Sequence, residues 1–84
     1  MVRIKVIYHG SCAAEAGVDS DELEISSDIK VAYEFLIRHL TNDKGFKPPF
    51  LLLVRDQNIT GAIKKNIKLI DGDVFHVIPH ISGG

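Results

Sequence analysis

The sequence predicts one α+β domain in two layers, a mixed sheet packed against a single main helix. Three observations lead there. Val2, Ile4, Val6 and Tyr8 alternate with Arg3 and Lys5, the period of a half-buried strand. Ile29, Ala32, Tyr33, Leu36, Ile37 and Leu40 recur at three- and four-residue spacing and mark one apolar helix face. The stretch from Val74 to Pro79 is apolar on both faces of an extended chain. A lone amphipathic helix must lay its apolar side on a sheet face, which gives two layers.

The elements follow in order. His9-Gly10-Ser11 ends the first strand, and Ser11 is positioned to cap a short helical stretch over Cys12–Ala16 that Gly17 would close. Glu22–Ile25 is a short second strand forming a hairpin-like pair with the first. Ser26-Ser27-Asp28 offers the N-cap of the main helix, thirteen residues long. Asn42–Pro49 reads as a loop, with Gly45 and Pro48-Pro49 as breakers. Phe50–Val54 is apolar throughout and suits a central strand covered on at least one face. Arg55–Asn58 is a polar turn, and Ile59–Asn66 is compatible with a short strand, a helical turn or both. Asp71-Gly72-Asp73 makes a tight turn into the last strand. First and last strands can lie parallel because the intervening chain supplies the crossover. That arrangement is the β-grasp, expected over residues 1–80, with 81–84 as a flexible tail.

With 84 residues and 45% apolar content, the chain is long enough for one modest core, with little room for an enclosed substrate pocket. This argues against a self-sufficient enzyme. A formal charge of −1 carries no polyanion-binding signature, so no nucleic-acid partner is expected. Acidic residues gather early (Asp19, Asp21, Glu22, Glu24, Asp28) and lysines late (Lys44, Lys47, Lys64, Lys65, Lys68), as a solvated surface or as a steering field. Cys12 is the single cysteine and reads as a small core residue. The opening Met1–Val6 is too short and too charged for a signal peptide, and the longest apolar runs fall far below membrane-spanning length. A cytoplasmic protein without a membrane partner is expected.

The last strand feeds Ser82-Gly83-Gly84, a thin tail ending in a bare carboxylate. By alternation Phe75, Val77 and Pro79 share one face, while Val74, His76 and Ile78 share the other. One set should meet the helix. The other is left open beside Ile7, either as a docking face or covered by a loop residue such as Phe46 or Phe50. His76 and His80 sit four residues apart on an extended chain, about 13 Å, too far to share a metal ion, so no metal site is expected. His9 and His39 have no local partner and read as surface or edge residues.

A chain with Asp71-Gly72-Asp73 turning into a strand, then Pro79 and a Ser82-Gly83-Gly84 ending, resembles the MoaD/ThiS group of ubiquitin-like sulfur carriers. Its length and ending are closer to the small subunit of molybdopterin synthase than to the shorter thiamine carrier. The chain departs from the group's pattern twice. His80 stands where a second proline is frequent, and Val54-Arg55-Asp56 replaces a frequent Val-Asn-Gly, which leaves pairing around Ile59 open.

The resemblance implies a function for the tail. The Gly84 carboxylate would be adenylated by an ATP-dependent E1-like adenylyltransferase, and a sulfurtransferase or other persulfide donor would convert it to a thiocarboxylate. That group would pass sulfur to a larger synthase subunit, in a heterotetramer of two carriers flanking a dimeric enzyme. Gly83 and Gly84 lack a Cβ and can thread a narrow channel, which Ser82 also fits. Ile81, His80, Ile78, His76 and Val74 complete the partner-binding set; for His80 an idle exposed role is equally open. No cofactor is expected on the chain, since the partner enzyme uses the ATP. Two other readings share these residues: a protein modifier conjugated to lysines through Gly84, and a non-catalytic β-grasp interaction domain.

Overall fold

The computed structural model describes residues 1–80. The chain runs β1 (Val2–Tyr8), α1 (Ser11–Ala16), β2 (Ser20–Ile25), α2 (Ile29–Arg38), a π-helical turn (His39–Asp43), β3 (Phe50–Val54), β4 (Gln57–Asn58), α3 (Ile59–Lys65) and β5 (Val74–Pro79). The sheet order is β2-β1-β5-β3-β4. β1 pairs antiparallel with β2 and parallel with β5, and β5 pairs antiparallel with β3. This is the α+β, ubiquitin-like β-grasp: a mixed sheet with its helices on one face. β5 occupies the centre, so both its edges are hydrogen-bonded.

The core forms where the two periodicities meet. Ile4, Val6 and Tyr8 from β1, Phe75 and Val77 from β5, and Leu52 and Val54 from β3 face Ile29, Ala32, Leu36 and Leu40. Asp28 caps α2 by accepting from the backbone N–H groups of Lys30 and Val31, at 2.9 and 3.3 Å. The expected thirteen-residue helix is instead ten α-helical residues followed by the π turn. There the Lys44 N–H reaches back five residues to the His39 carbonyl, and the Thr41 hydroxyl donates to the Ile37 carbonyl at 2.8 Å.

Three local readings change. Ser11 does not cap α1; it is the first helical residue, and Gly10 takes the cap position at φ 53°, ψ −130°. β2 begins at Ser20, two residues before the expected strand. Ile59–Lys65 is a helix capped by Asn58, whose side chain accepts from the Thr60 N–H at 2.9 Å.

The hairpin between β3 and β4 closes without the glycine turn. Arg55 and Asp56 both hold positive φ, 50° and 61°, the two-residue geometry that matches strand twist. A non-glycine pair in that region costs energy, and Arg55 is held by long-range bonds that offset it. Its guanidinium donates to both Asp73 carboxylate oxygens, at 3.0 and 2.8 Å, and to the Lys68 carbonyl at 2.8 Å. Asp73 also accepts from the Ile70 N–H at 2.8 Å. Arg55 beside it holds the Asp73 carboxyl below the usual carboxylate range, against the opposing effect of burial. The same pair closes the turn before β5, where the Arg3 and Lys5 backbone bonds to Asp71, Gly72 and Asp73 fix the strand's start.

Candidate functional site

β5 presents two unlike faces. Phe75 and Val77 are fully buried toward the helices, while Val74, His76 and Ile78 are only half-buried on the opposite face. The register brings Ile7 alongside His76, and Leu53 and Leu51 opposite His76 and Ile78. The result is an apolar strip with imidazoles in it, on a sheet face that no helix covers. Phe46 and Phe50 do not cover it. Phe46 packs edge-on against Tyr8 at 5.6 Å, and Phe50 edge-on against Phe46 at 6.1 Å, both with the core-side residues. Of the two readings of this face, the open one holds among the described residues.

His9 is exposed, as expected of a surface or edge residue, and gains a distant partner. It extends the alternation of β1 by one residue, and its N–H donates to the Val77 carbonyl at 3.0 Å. Its Nε2 lies 2.9 Å from Nδ1 of His76, within hydrogen-bond distance. The partner is 67 positions away, so no local pattern could show it. The next residue, Gly10, packs under Pro79: a Cβ there would sit 3.4 Å from the proline Cγ. His9 and Gly10 therefore buttress the end of β5 where the chain leaves the sheet.

His39 corrects the sequence reading. It is largely buried in a polar cluster that ties the π turn to β2, with Nδ1 at 3.1 Å from Asp43 and Nε2 at 3.8 Å from Asp21. Asp21 accepts from the Tyr8 hydroxyl at 2.7 Å and pairs with Lys44 at 3.0 Å. Burial pushes the Asp21 carboxyl up, but these donors outweigh it and leave it below its ordinary value. Burial and the Asp21 hydrogen bond together push the Tyr8 hydroxyl up, keeping it a neutral donor. The cluster joins β1, β2 and the π turn and is structural.

His80 is exposed just past β5. Ile81, Ser82, Gly83 and Gly84 lie outside the described residues, so the expected reactive end and its flexible character do too. Beside Pro79 and His80 lies a cleft of about 150 Å³, bordered by Cys12, Glu15, Lys47 and Phe50. Cys12 is buried there, and burial followed by the Glu15 charge pushes its thiol up, which suits a core residue and not a nucleophile. A wider concavity, about 590 Å³, sits at the other end of β5 between Arg3, Lys5, Glu22, Glu24 and Asp71. Arg3 pairs with both glutamates there, at 3.6 and 2.9 Å. Among the described residues no group of three metal-ligating side chains converges, and no helix is long and apolar enough to cross a membrane.

No protein-family model and no curated protein matches the chain. Solved structures do. SAMP1 from Haloferax volcanii superposes with a TM-score of 0.65 at 17% identity, over 98% of this chain and 99% of that one. A protein described as molybdopterin converting factor subunit 1 from Pyrococcus furiosus gives 0.67 at 21%, over 96% and 100%. Small archaeal modifier protein 1 from Methanosarcina acetivorans gives 0.63 at 17%, over 100% and 98%. The chain thus shares, nearly end to end, the ubiquitin-like β-grasp fold of small archaeal modifiers and of a MoaD-like subunit.

Proposed function

We propose that this chain is a cytoplasmic sulfur carrier of the MoaD/ThiS kind, working through Gly84 as its C-terminus. The observation that supports it is the layout of β5. The strand is held on both edges, its outward face stays open and apolar, and it stops at Pro79, five residues before Gly84. Proline has no N–H to continue a ladder, so the strand ends at Pro79, and the residues beyond it are the ones proposed to enter a partner.

The chemistry needs a partner at every step, because a carboxylate is a poor acylating agent. An E1-like adenylyltransferase binds ATP, and a Gly84 carboxylate oxygen attacks its α-phosphorus, releasing pyrophosphate. The terminal sulfur of a persulfide then attacks the Gly84 carbonyl carbon and AMP leaves, giving an acyl disulfide. A second thiol cleaves the S–S bond, and the sulfur stays on Gly84 as a thiocarboxylate. A larger synthase subunit accepts that sulfur, with molybdopterin formation the preferred pathway. This chain contributes the reacting group and the docking face, made of Val74, His76 and Ile78 with His80 and the tail residues Ile81, Ser82 and Gly83.

The fold shared with small archaeal modifier protein 1 favours a second reading, in which the same adenylate ends as an isopeptide bond to a lysine. Intact-mass measurement of the protein from its native host separates the readings. Replacement of one oxygen by sulfur supports the carrier, and conjugates of higher mass support the modifier. If the cognate enzyme forms no acyl-adenylate and only free acid is found, the chain is a non-catalytic interaction domain. Deleting Gly84 should abolish activation with the fold intact; unchanged activation overturns both tail-based readings.

A further inference from the structure

His9 and His76 set two imidazoles side by side on the open sheet face. Nε2 of His9 lies 2.9 Å from Nδ1 of His76, with ring centroids 5.1 Å apart and the rings inclined at 34°. Both are carried on hydrogen-bonded backbone. The His9 N–H is tied to the Val77 carbonyl, and β5 is paired on both edges at His76, with Ile7 on one side and Leu53 on the other. The other two histidines are placed differently. His39 is enclosed between Asp21 and Asp43, and His80 lies past the end of β5. The histidine–carboxylate pairs among the described residues all belong to His39, so the inner nitrogens of His9 and His76 face each other and no anion.

That spacing is a chelate spacing. Two imidazole nitrogens bound to one ion at about 2.05 Å stand about 2.9 Å apart when the bonds meet at a right angle, and about 3.3 Å apart at the tetrahedral angle. The strands therefore need not move to bring both nitrogens onto one ion. What changes is the tautomer and the tilt of the rings. Without an ion, one inner nitrogen donates its hydrogen to the other. To ligate, that hydrogen passes to the outer nitrogen of its own ring, and the rings tilt until both lone pairs meet at one point. Both rings are neutral before and after, so no net proton is gained or lost. Charge does not oppose the ion, because Arg3 and Lys5 on β1 are balanced by Glu24 and Glu22 opposite them on β2. Neutral imidazole selects copper, nickel or zinc over magnesium and calcium, which prefer oxygen. Two protein ligands leave the remaining positions to water, or to a donor from whatever covers the strip.

We infer that His9 and His76 form a two-imidazole site for a divalent copper, nickel or zinc ion on the open sheet face. The site stands apart from the carrier reading, and its failure leaves that reading untouched. The test titrates the full chain with Cu²⁺, Ni²⁺ and Zn²⁺ alone, by calorimetry. Saturable binding of one ion per chain is expected, tightest for copper. His9→Gln and His76→Asn each remove one ligand while keeping a polar side chain in place. Either should weaken binding by about tenfold or more, with the metal-free melting temperature unchanged. Nitrogen-15 spectra of the imidazoles locate the ion. Zinc should fix His9 as the Nδ1–H tautomer and His76 as the Nε2–H tautomer, each bound through its inner nitrogen. Absence of saturable binding below millimolar metal overturns the inference. So does unchanged affinity in both single variants, or zinc-induced shifts confined to His39 and His80.

Discussion

The two faces of β5 are built from nearly the same kinds of residue and do opposite things. Phe75 and Val77 are sealed within the hydrophobic core, whereas Val74, His76 and Ile78 keep part of their surface in water. Composition alone does not separate the sets; the helices choose one side. The buried face converts apolar area into stability. The open face withholds it, at some cost to a small domain, which is what the docking role proposed for it requires.

The sharpest way to break this contrast is Phe75→Ala. A fully buried aromatic lost from the core costs about 3–5 kcal/mol. An 84-residue domain holds about 4–12 kcal/mol in total, so the variant should lose a large share of its stability and unfold at a markedly lower midpoint by circular dichroism. A cooperative transition near the wild-type midpoint would show that the helix face does not carry the fold.

Asp73→Ala probes the start of the same strand and ranks second. It removes the acceptor of Arg55 and of the Ile70 N–H. With Arg55 itself partly in solvent, the loss should be about 2–3 kcal/mol by urea titration. Asp73 holds its proton less tightly folded than unfolded, so its contribution is complete above the ordinary carboxylate value of 3.8 and is lost as pH falls through the lower folded value. Wild type and variant stabilities should therefore converge on acidification.

Ile78→Ser tests the open face and should change stability least, by less than about 1 kcal/mol. On the proposed carrier function its effect belongs to binding, with affinity for the adenylating enzyme falling about tenfold. A variant that melts early and still docks normally would reverse the roles of the two faces.

Much of this was legible in advance. Period-two alternation in β1 and β5, the spacing from Ile29 to Leu40 and the Asp28 cap each encode their geometry locally, and so did the two-sided character of β5. What was hidden is what topology brings together. The His9–His76 contact depends on the parallel β1–β5 register. His39 needed Asp21 from another strand, and the Arg55-Asp56 turn looked unfavourable until Asp73, 18 residues on, was seen to hold it. The π turn was missed because one widened turn leaves the apolar spacing nearly unchanged. Residues 81–84, where the proposed chemistry lies, fall outside the described part of the chain.

The parallel pairing of β1 with β5 has a mechanical consequence. Val2 begins one strand and Pro79 ends the other, so tension applied between the body of the domain and its exit point runs along both strands in opposite senses. The β1–β5 hydrogen bonds are then loaded together in shear, not peeled one at a time, and the antiparallel β3 ladder braces the other edge. An enzyme that drew residues beyond Pro79 into a channel would be pulling on a handle bolted at both sides. The domain can be towed by its tail without being unravelled.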